Sequence, residues 1–144
     1  FLLLFIQAGT LKYTGSTIFI ADKIIKATGN NLNLLTGLVL WIGALGSSLL
    51  DNVVLVAAFI PVVQGLQALD VNSHSLWWAL LFGGCLGGNI TLIGSTANIV
   101  ALGILEKERN IRMAFLSWIW VGLSVGLVTT CIVWAALTFI PFYK

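Results

Sequence analysis

Charged residues are confined to a few short stretches of this 144-residue chain. They lie at Lys12, 22–26, Asp51, Asp70, 106–112 and Lys144, with long charge-free runs between them. Only 8% of the residues are charged and 59% are hydrophobic, against about 25% and about 45 to 50% in soluble domains. So few charges cannot solvate the surface of a soluble domain. The chain is therefore predicted to be an all-α integral membrane protein whose solvent is the lipid bilayer.

The net charge, the cysteines and the few ionisable residues argue against several classes of function. A net charge of +2 with scattered Lys and Arg offers no basic stripe, so no nucleic-acid partner is expected. Cys85 and Cys131 lie in apolar runs, which favours packing residues over a disulfide or metal site. One carboxylate in the charge-free core and one His in the chain are too few for aspartyl or zinc chemistry, so an enzyme is not expected. Because the chain starts at Phe1 inside an apolar run, we expect a piece of a longer membrane protein.

Three segments indicate simple membrane elements. Residues 1–11 are mostly apolar and indicate the end of a transmembrane helix. Residues 15–27 place apolar side chains opposite charged ones at helical spacing, which predicts an amphipathic helix at the membrane interface. Residues 113–140 are long enough to span a bilayer, and Gly122 and Gly126 give this final helix a small-residue packing face.

Residues 32–64 are too long for one straight span. A helix of this length would run about 50 Å, whereas the hydrocarbon core is about 30 Å thick. Gly46-Ser47-Ser48 and Asp51-Asn52 interrupt the run at its centre with residues that favour turns and helix caps. We therefore predict a re-entrant helical hairpin with arms near 32–45 and 53–64 and a polar tip near the middle of the membrane.

Residues 75–105 predict a transmembrane helix that is broken in its middle. Four glycines, Gly83, Gly84, Gly87 and Gly88, are followed by Asn, Thr, Gly and Ser residues as far as Asn98. Such a run is unfavourable in a continuous helix. Lipid cannot satisfy the freed N–H and C=O groups, so the unwound backbone must be buried in protein or line a wet cavity.

The two interruptions share a short pattern. In each, a glycine and two hydroxyl residues precede an asparagine that begins an apolar helix: Gly46-Ser47-Ser48 before Asn52, and Gly94-Ser95-Thr96 before Asn98. Helix N-termini that point inward suit an anionic group, while unwound carbonyls and hydroxyls suit a small hard cation. Two such ends near the midplane are expected of a secondary transporter.

Two longer strings resemble a known family. LGSSLLDNVVLVAAFIPVV at 45–63 and GGNITLIGSTANIVALGILEK at 87–107 resemble the ion transporter superfamily. The resemblance is to its branch of arsenical permeases, NhaD-type sodium-proton antiporters, the melanosomal P protein and citrate-transporter-like permeases. It implies that the chain is the second, C-terminal one of two inverted repeats and that a missing N-terminal repeat completes the cavity. It also implies a homodimeric, multi-pass protein of the cell (inner or plasma) membrane.

The resemblance further implies which residues bind the transported ion. In relatives, the matching hairpin tip and unwound loop hold the substrate and the coupling ion. Carried over to this chain, the binding residues are Ser47, Ser48, Asp51, Asn52, Asn89, Thr91, Ser95, Thr96 and Asn98. A sodium site would be formed by Ser48, Asp51, Asn52, Thr96 and Asn98. Sodium or a proton is expected as the coupling ion, with no other cofactor.

Asp51 helps to decide which branch of this superfamily the chain resembles most. Carboxylate-transporting relatives carry a Ser-Asn-Thr signature at the hairpin tip, whereas this tip has Asp51-Asn52. An anionic side chain beside the site would repel a dicarboxylate, and an ionisable group in the membrane costs at least about 2.5 kcal/mol. We therefore predict that Asp51 binds the coupling proton or sodium ion. The alternative is that Asp51 only caps the returning helix, as Ser95, Thr96 or Asn98 could cap the second half-helix.

The predicted function is secondary active transport, coupled to protons or sodium, of a small inorganic or carboxylate ion. Sodium-proton antiport is the first expectation, arsenite or anion permeation follows, and sodium-coupled citrate or dicarboxylate transport is the alternative. An alternative from another class of function is a structural membrane subunit that transports nothing. Its glycines would serve only helix packing. That alternative leaves Asp51 and the polar run 89–98 without a reason to lie in hydrocarbon.

Overall fold

The computed structural model describes residues 3, 6, 9–10, 13–29, 31–69, 71–110 and 113–140. Within these ranges every regular element is an α-helix. The predicted helix end at 1–11 falls mostly outside the described residues and stays a prediction. The same holds for the charged positions Lys12, Asp70, Arg112 and Lys144.

From residue 16 onward, six helices follow one another in the described part of the chain. They are α1 (Ser16–Thr28), α2 (Leu32–Ser47), α3 (Asn52–Gln67), α4 (His74–Gly87), α5 (Thr96–Arg109) and α6 (Phe115–Phe139). Local chemistry sets several ends. Gly29 ends α1 with a φ of 60°, and Asn31 caps α2 by accepting hydrogen bonds from Asn33 N and Leu34 N. The two predicted polar interruptions lie at 48–51 and 88–95, between helices.

Helices α2 and α4 run side by side in the same direction and form the centre of the fold. Their backbones touch, because a Cβ on Gly83 would lie 2.6 Å from Leu40 O. Near their N-terminal ends, the buried Thr36 Oγ1 donates to Ser75 Oγ at 3.3 Å. Parallel packing places the C-terminal ends of the two helices next to each other, and the two interruptions begin at those ends.

The other helices pack around this pair unequally. Helix α1 lies on α3, where a Cβ on Gly65 would lie 3.1 Å from Thr17 O. Helix α6 packs on α4 and α2, with Trp134 lying over Gly37. Helix α5 has no buried residue and packs against none of the other described helices. The core is therefore built from α1 to α4 with the end of α6.

Helix length separates α6 from the others. Among the described helices, α6 is the one that is long and apolar enough to cross a membrane. Helices α2 and α3 are also apolar, but they have only 16 residues each. At 1.5 Å per residue such a helix reaches about 24 Å, less than the roughly 30 Å of the hydrocarbon core.

Candidate functional site

The hairpin tip is the short turn 48–51 between α2 and α3. Ser48 continues the last turn of α2, where its Oγ donates to Leu45 O at 2.6 Å. Asp51 is the N-cap of α3, and its Oδ1 accepts a hydrogen bond from Val53 N at 2.9 Å. This geometry places a carboxylate at the positive end of the helix dipole. The capping role considered for Asp51 is therefore observed, and it uses only one of the two carboxylate oxygens.

The break at 88–95 is stabilised by side chains that bond to its backbone. Thr91 Oγ1 accepts a hydrogen bond from Gly94 N at 3.1 Å. Asn98, in the first turn of α5, donates from Nδ2 to Gly88 O at 2.9 Å and to Thr91 O at 3.3 Å. These bonds satisfy backbone groups that lack helical partners. Asn98 thus links the first turn of α5 to the backbone of the break.

Tip and break are in direct contact. Thr91 Oγ1 donates to Ser48 O, and Thr96 Oγ1 donates to Asp51 Oδ2 at 3.4 Å. A Cβ on Gly94 would lie 2.8 Å from Ser47 O, so the approach requires glycine there. The packing of α2 on α4 therefore brings the two polar interruptions together.

The side-chain amide of Asn52 joins three segments. The amide atom that faces Ser47 lies 2.5 Å from Ser47 Oγ, 3.2 Å from Gly84 O and 3.1 Å from Gly94 O. The fully buried Ser47 Oγ also donates to Gly84 O at 2.6 Å. Hydrogen bonding assigns Nδ2 to the inward position, since nitrogen can donate to these oxygens. With Oδ1 turned inward, four oxygens would converge, an arrangement we call the oxygen cluster of Ser47, Asn52, Gly84 and Gly94.

The charge at this site comes from one exposed carboxylate, that of Asp51. Lys26 and Asp22 form an ion pair at 2.6 Å, but they lie on α1, far from the site along the chain. In the described ranges no three His, Cys, Asp or Glu side chains lie together. The site thus offers hydroxyl, amide, carbonyl and carboxylate oxygens, which suit a hard cation such as sodium better than zinc.

Seven of the nine predicted site residues take part in these contacts. They are Ser47, Ser48, Asp51, Asn52, Thr91, Thr96 and Asn98. Ser95 is the N-cap of α5 but makes no side-chain capping bond. Asn89 is exposed and, with Asn98, lines a cavity of about 280 Å³ beside α6. Asn89 and Ser95 therefore lie next to the contact between tip and break without joining it.

The predicted sodium ligands only partly coincide with the oxygen cluster. Asn52 belongs to both sets, but Ser48 Oγ turns back to its own helix. Sequence reasoning missed the carbonyls of Gly84 and Gly94. Their signal was the glycine run itself, because a residue without a side chain leaves its carbonyl open to a close neighbour.

The all-helical fold, with interruptions that meet through polar groups, is consistent with a membrane transporter domain. Comparison with known families gives the more particular assignment. The family model described as citrate transporter (CitMHS) matches residues 1–143, and the chain belongs to this citrate transporter family. The resemblance to the ion transporter superfamily is thereby confirmed.

Curated relatives agree with this assignment. An uncharacterized transporter of Mycobacterium tuberculosis (strain CDC 1551 / Oshkosh) is 37% identical over 108 residues, which cover 73% of this chain and 25% of that protein. The P protein of Homo sapiens is 40% identical over 99 residues, 67% of this chain and 12% of that protein. The 46 kDa membrane protein of Mycobacterium leprae is 35% identical over 129 residues, 88% of this chain and 30% of that protein.

The chain thus spans less than a third of the length of these relatives. The names of the family and its members point to a membrane protein that transports an ion or small molecule, not to an enzyme.

Proposed function

We propose that the full protein is a secondary active transporter of a small ion, coupled to sodium or protons, and that this chain supplies half of its site. The observation that carries the proposal is the contact of Asn52 with Ser47, Gly84 and Gly94 across the two interruptions. In secondary transporters, interrupted helices provide the ion site at the point where separate elements meet. Binding an ion there would stabilise one arrangement of tip and break.

The oxygen cluster favours a cation as the coupling ion. With Nδ2 of Asn52 inward, amide hydrogens satisfy the surrounding oxygens. With Oδ1 inward, the single hydroxyl proton of Ser47 cannot satisfy the other three oxygens of the cluster. A positive charge among the four oxygens is then needed. We propose that sodium binding rotates this amide. Of the other predicted ligands, Ser48 and Asp51 adjoin Ser47 and Asn52 in the chain, and Thr96 bonds to Asp51.

Asp51 favours sodium-proton antiport among the candidate activities. Its Oδ1 caps α3, and its Oδ2 accepts from Thr96 in the first turn of α5. The carboxylate therefore already occupies the space beside two helix N-termini that would otherwise attract an anion. Asp51 would bind the exchanged proton or sodium ion. Arsenite or anion permeation is the second activity of this type.

Sodium-coupled citrate or dicarboxylate transport is the alternative. The description of the family favours it, as does the meeting of two helix N-termini at Asp51 and Thr96. In this case a substrate carboxylate would displace Asp51 from the start of α5.

The same proposal includes an arrangement in the membrane. Helices α2 and α3 would form a re-entrant hairpin, because each is too short to cross, and α4 and α5 would form the broken span. Helix α1 would lie at the interface and α6 would be the final span. The chain would be the second of two inverted repeats, with the first supplying the other half of the site in a homodimer of the cell membrane.

Transport by the full-length protein in proteoliposomes tests the proposal. Sodium flux driven by a pH gradient is expected, and Asp51→Asn should lose it while inserting normally. Arsenite or citrate uptake instead would move the function to the second or the alternative candidate. Full coupling in Asp51→Asn would remove Asp51 from the ion pathway, and no flux under sodium, proton, arsenite or citrate gradients would reject transport.

A further inference from the structure

Helix α6 contacts the break through two glycines. Gly122 and Gly126 are buried and lie about one turn apart on the same face of α6. Ile90, in the break, is 5% exposed, and a Cβ on Gly126 would lie 2.5 Å from Ile90 Cγ1 and 3.2 Å from its Cδ1. A Cβ on Gly122 would lie 2.5 Å from Ile90 O and 2.6 Å from Asn89 O. Ile90 therefore fits against α6 because these two positions carry no side chain.

Ile90 is also the buried apolar side chain of the break. Leu92 is half-buried, and Ile93 is 54% exposed. Ile90 immediately precedes Thr91, which bonds to the tip at Ser48 O, and Gly94 follows in the same short segment. The segment that packs Ile90 against α6 is therefore the same one that bonds to the tip.

We propose that Gly122, Gly126 and Ile90 form a socket that positions the break against the hairpin tip and so sets the sodium affinity of the oxygen cluster. These are positioning residues, since none of them belongs to the cluster. The inference rests on the proposed sodium site, but the contacts of the socket join the break to α6 and lie outside that site. A methyl group on Gly126 would push Ile90 out of the socket and move Gly94 O away from Asn52.

Sodium binding and amide hydrogen exchange in the full-length protein test the socket. For Gly126→Ala we expect the half-saturating concentration of radioactive sodium to rise about tenfold, and exchange in 88–95 to become faster. The double variant Ile90→Ala/Gly126→Ala lacks Cγ1 and Cδ1 of Ile90, the two atoms that the new methyl would meet at 2.5 and 3.2 Å, and keeps only Cβ at 3.7 Å. It should recover half-saturation to within about threefold of wild type.

Two further variants separate the socket from a general packing effect. Gly122→Ala brings its methyl against backbone carbonyls, so Ile90→Ala should not rescue it. Gly103→Ala in α5 is the matched control, because nothing lies within 4 Å of the added methyl, and no change is expected.

Each outcome decides the inference. A folded Gly126→Ala with unchanged sodium binding and exchange overturns the socket, and so does a defect that Ile90→Ala leaves unimproved. If wild type binds no sodium, the proposed cation site fails and exchange in 88–95 alone decides the socket. If Gly126→Ala does not fold, Ile90→Val replaces it, with about threefold weaker sodium binding and faster exchange expected, and no change in either overturning the proposal.

Discussion

The hairpin tip and the break have similar sequences but are held in different ways. The tip lies between α2 and α3, and both helices have many buried residues. The break lies between α4, which is well buried, and α5, which has no buried residue. On its second side the break depends on hydrogen bonds from Thr96 and Asn98. Helix α5 is therefore the less firmly held half, where local opening should require the least free energy.

The largest expected effect contrasts the same substitution in α4 and α5. A methyl on Gly87 would enter the backbone of Ala44, whereas one on Gly103 meets nothing within 4 Å. We expect Gly87→Ala to lower the free energy of unfolding by about 3 kcal/mol or to prevent folding, and Gly103→Ala to raise it by about 0.5 to 1 kcal/mol, because an exposed helix interior favours alanine over glycine. Thermal unfolding of the purified full-length protein measures both. Equal losses would show that α5 is packed as closely as α4.

The next effect concerns Asn52, which links the two regions. Asn52→Ala removes the amide contacts to Ser47, Gly84 and Gly94 and should destabilise the protein by about 2 kcal/mol. It should also weaken sodium binding by about tenfold or more. Radioactive sodium binding and thermal unfolding measure the two effects. Asn33→Ala, at an exposed position in α2, is the control, and a loss as large in this variant would contradict a special role for Asn52.

A smaller and more local effect is expected at Asn98. Asn98→Ala loses bonds to Gly88 O and Thr91 O, which should cost about 1 kcal/mol and speed amide exchange at the start of α5. Apparent ion affinity should fall while membrane insertion is retained. Asn33→Ala, which alters an exposed side chain of α2, should change neither. Unchanged exchange in Asn98→Ala would show that α5 is held by other contacts.

The smallest effect should come from Thr96. Its bond to Asp51 Oδ2 is long, at 3.4 Å, and both residues are exposed. Thr96→Val should therefore cost about 0.5 kcal/mol, with a change of about twofold in sodium affinity. Thr129→Val, where the hydroxyl bonds only within α6, is the control for the substitution itself. A loss of coupling as complete as that expected for Asp51→Asn would make Thr96 a principal ligand instead.

The positions of the helices were largely predictable from local sequence. Helices lie at Leu32–Ser47 and Asn52–Gln67, where the arms were expected near 32–45 and 53–64, and at Phe115–Phe139, where the final helix was expected at 113–140. The capping of α3 by Asp51 was considered as one of two roles. Apolar runs, glycines and capping residues act on their immediate neighbours, so the chain itself displays them.

The inner arrangement of the site was less predictable. Ser47 and Ser48 are adjacent and chemically alike, yet Ser47 reaches Gly84 O and Asn52 while Ser48 bonds to Leu45 O. The choice depends on which face of α2 meets α4, and that register is set where Gly83 meets Leu40 O. No local pattern around either serine records that register.

Local composition alone therefore predicted the bilayer as the medium, the order of the helices and the presence of two polar interruptions. These properties depend on neighbouring residues and on the transfer of side chains into lipid. Packing between distant segments alone decided three other features. These are the set of oxygens around Asn52, the lack of a packed partner for α5 among the described helices, and the contact of Ile90 with α6. Close backbone contact through glycine fixes such distances, and it exists only once the helices have come together.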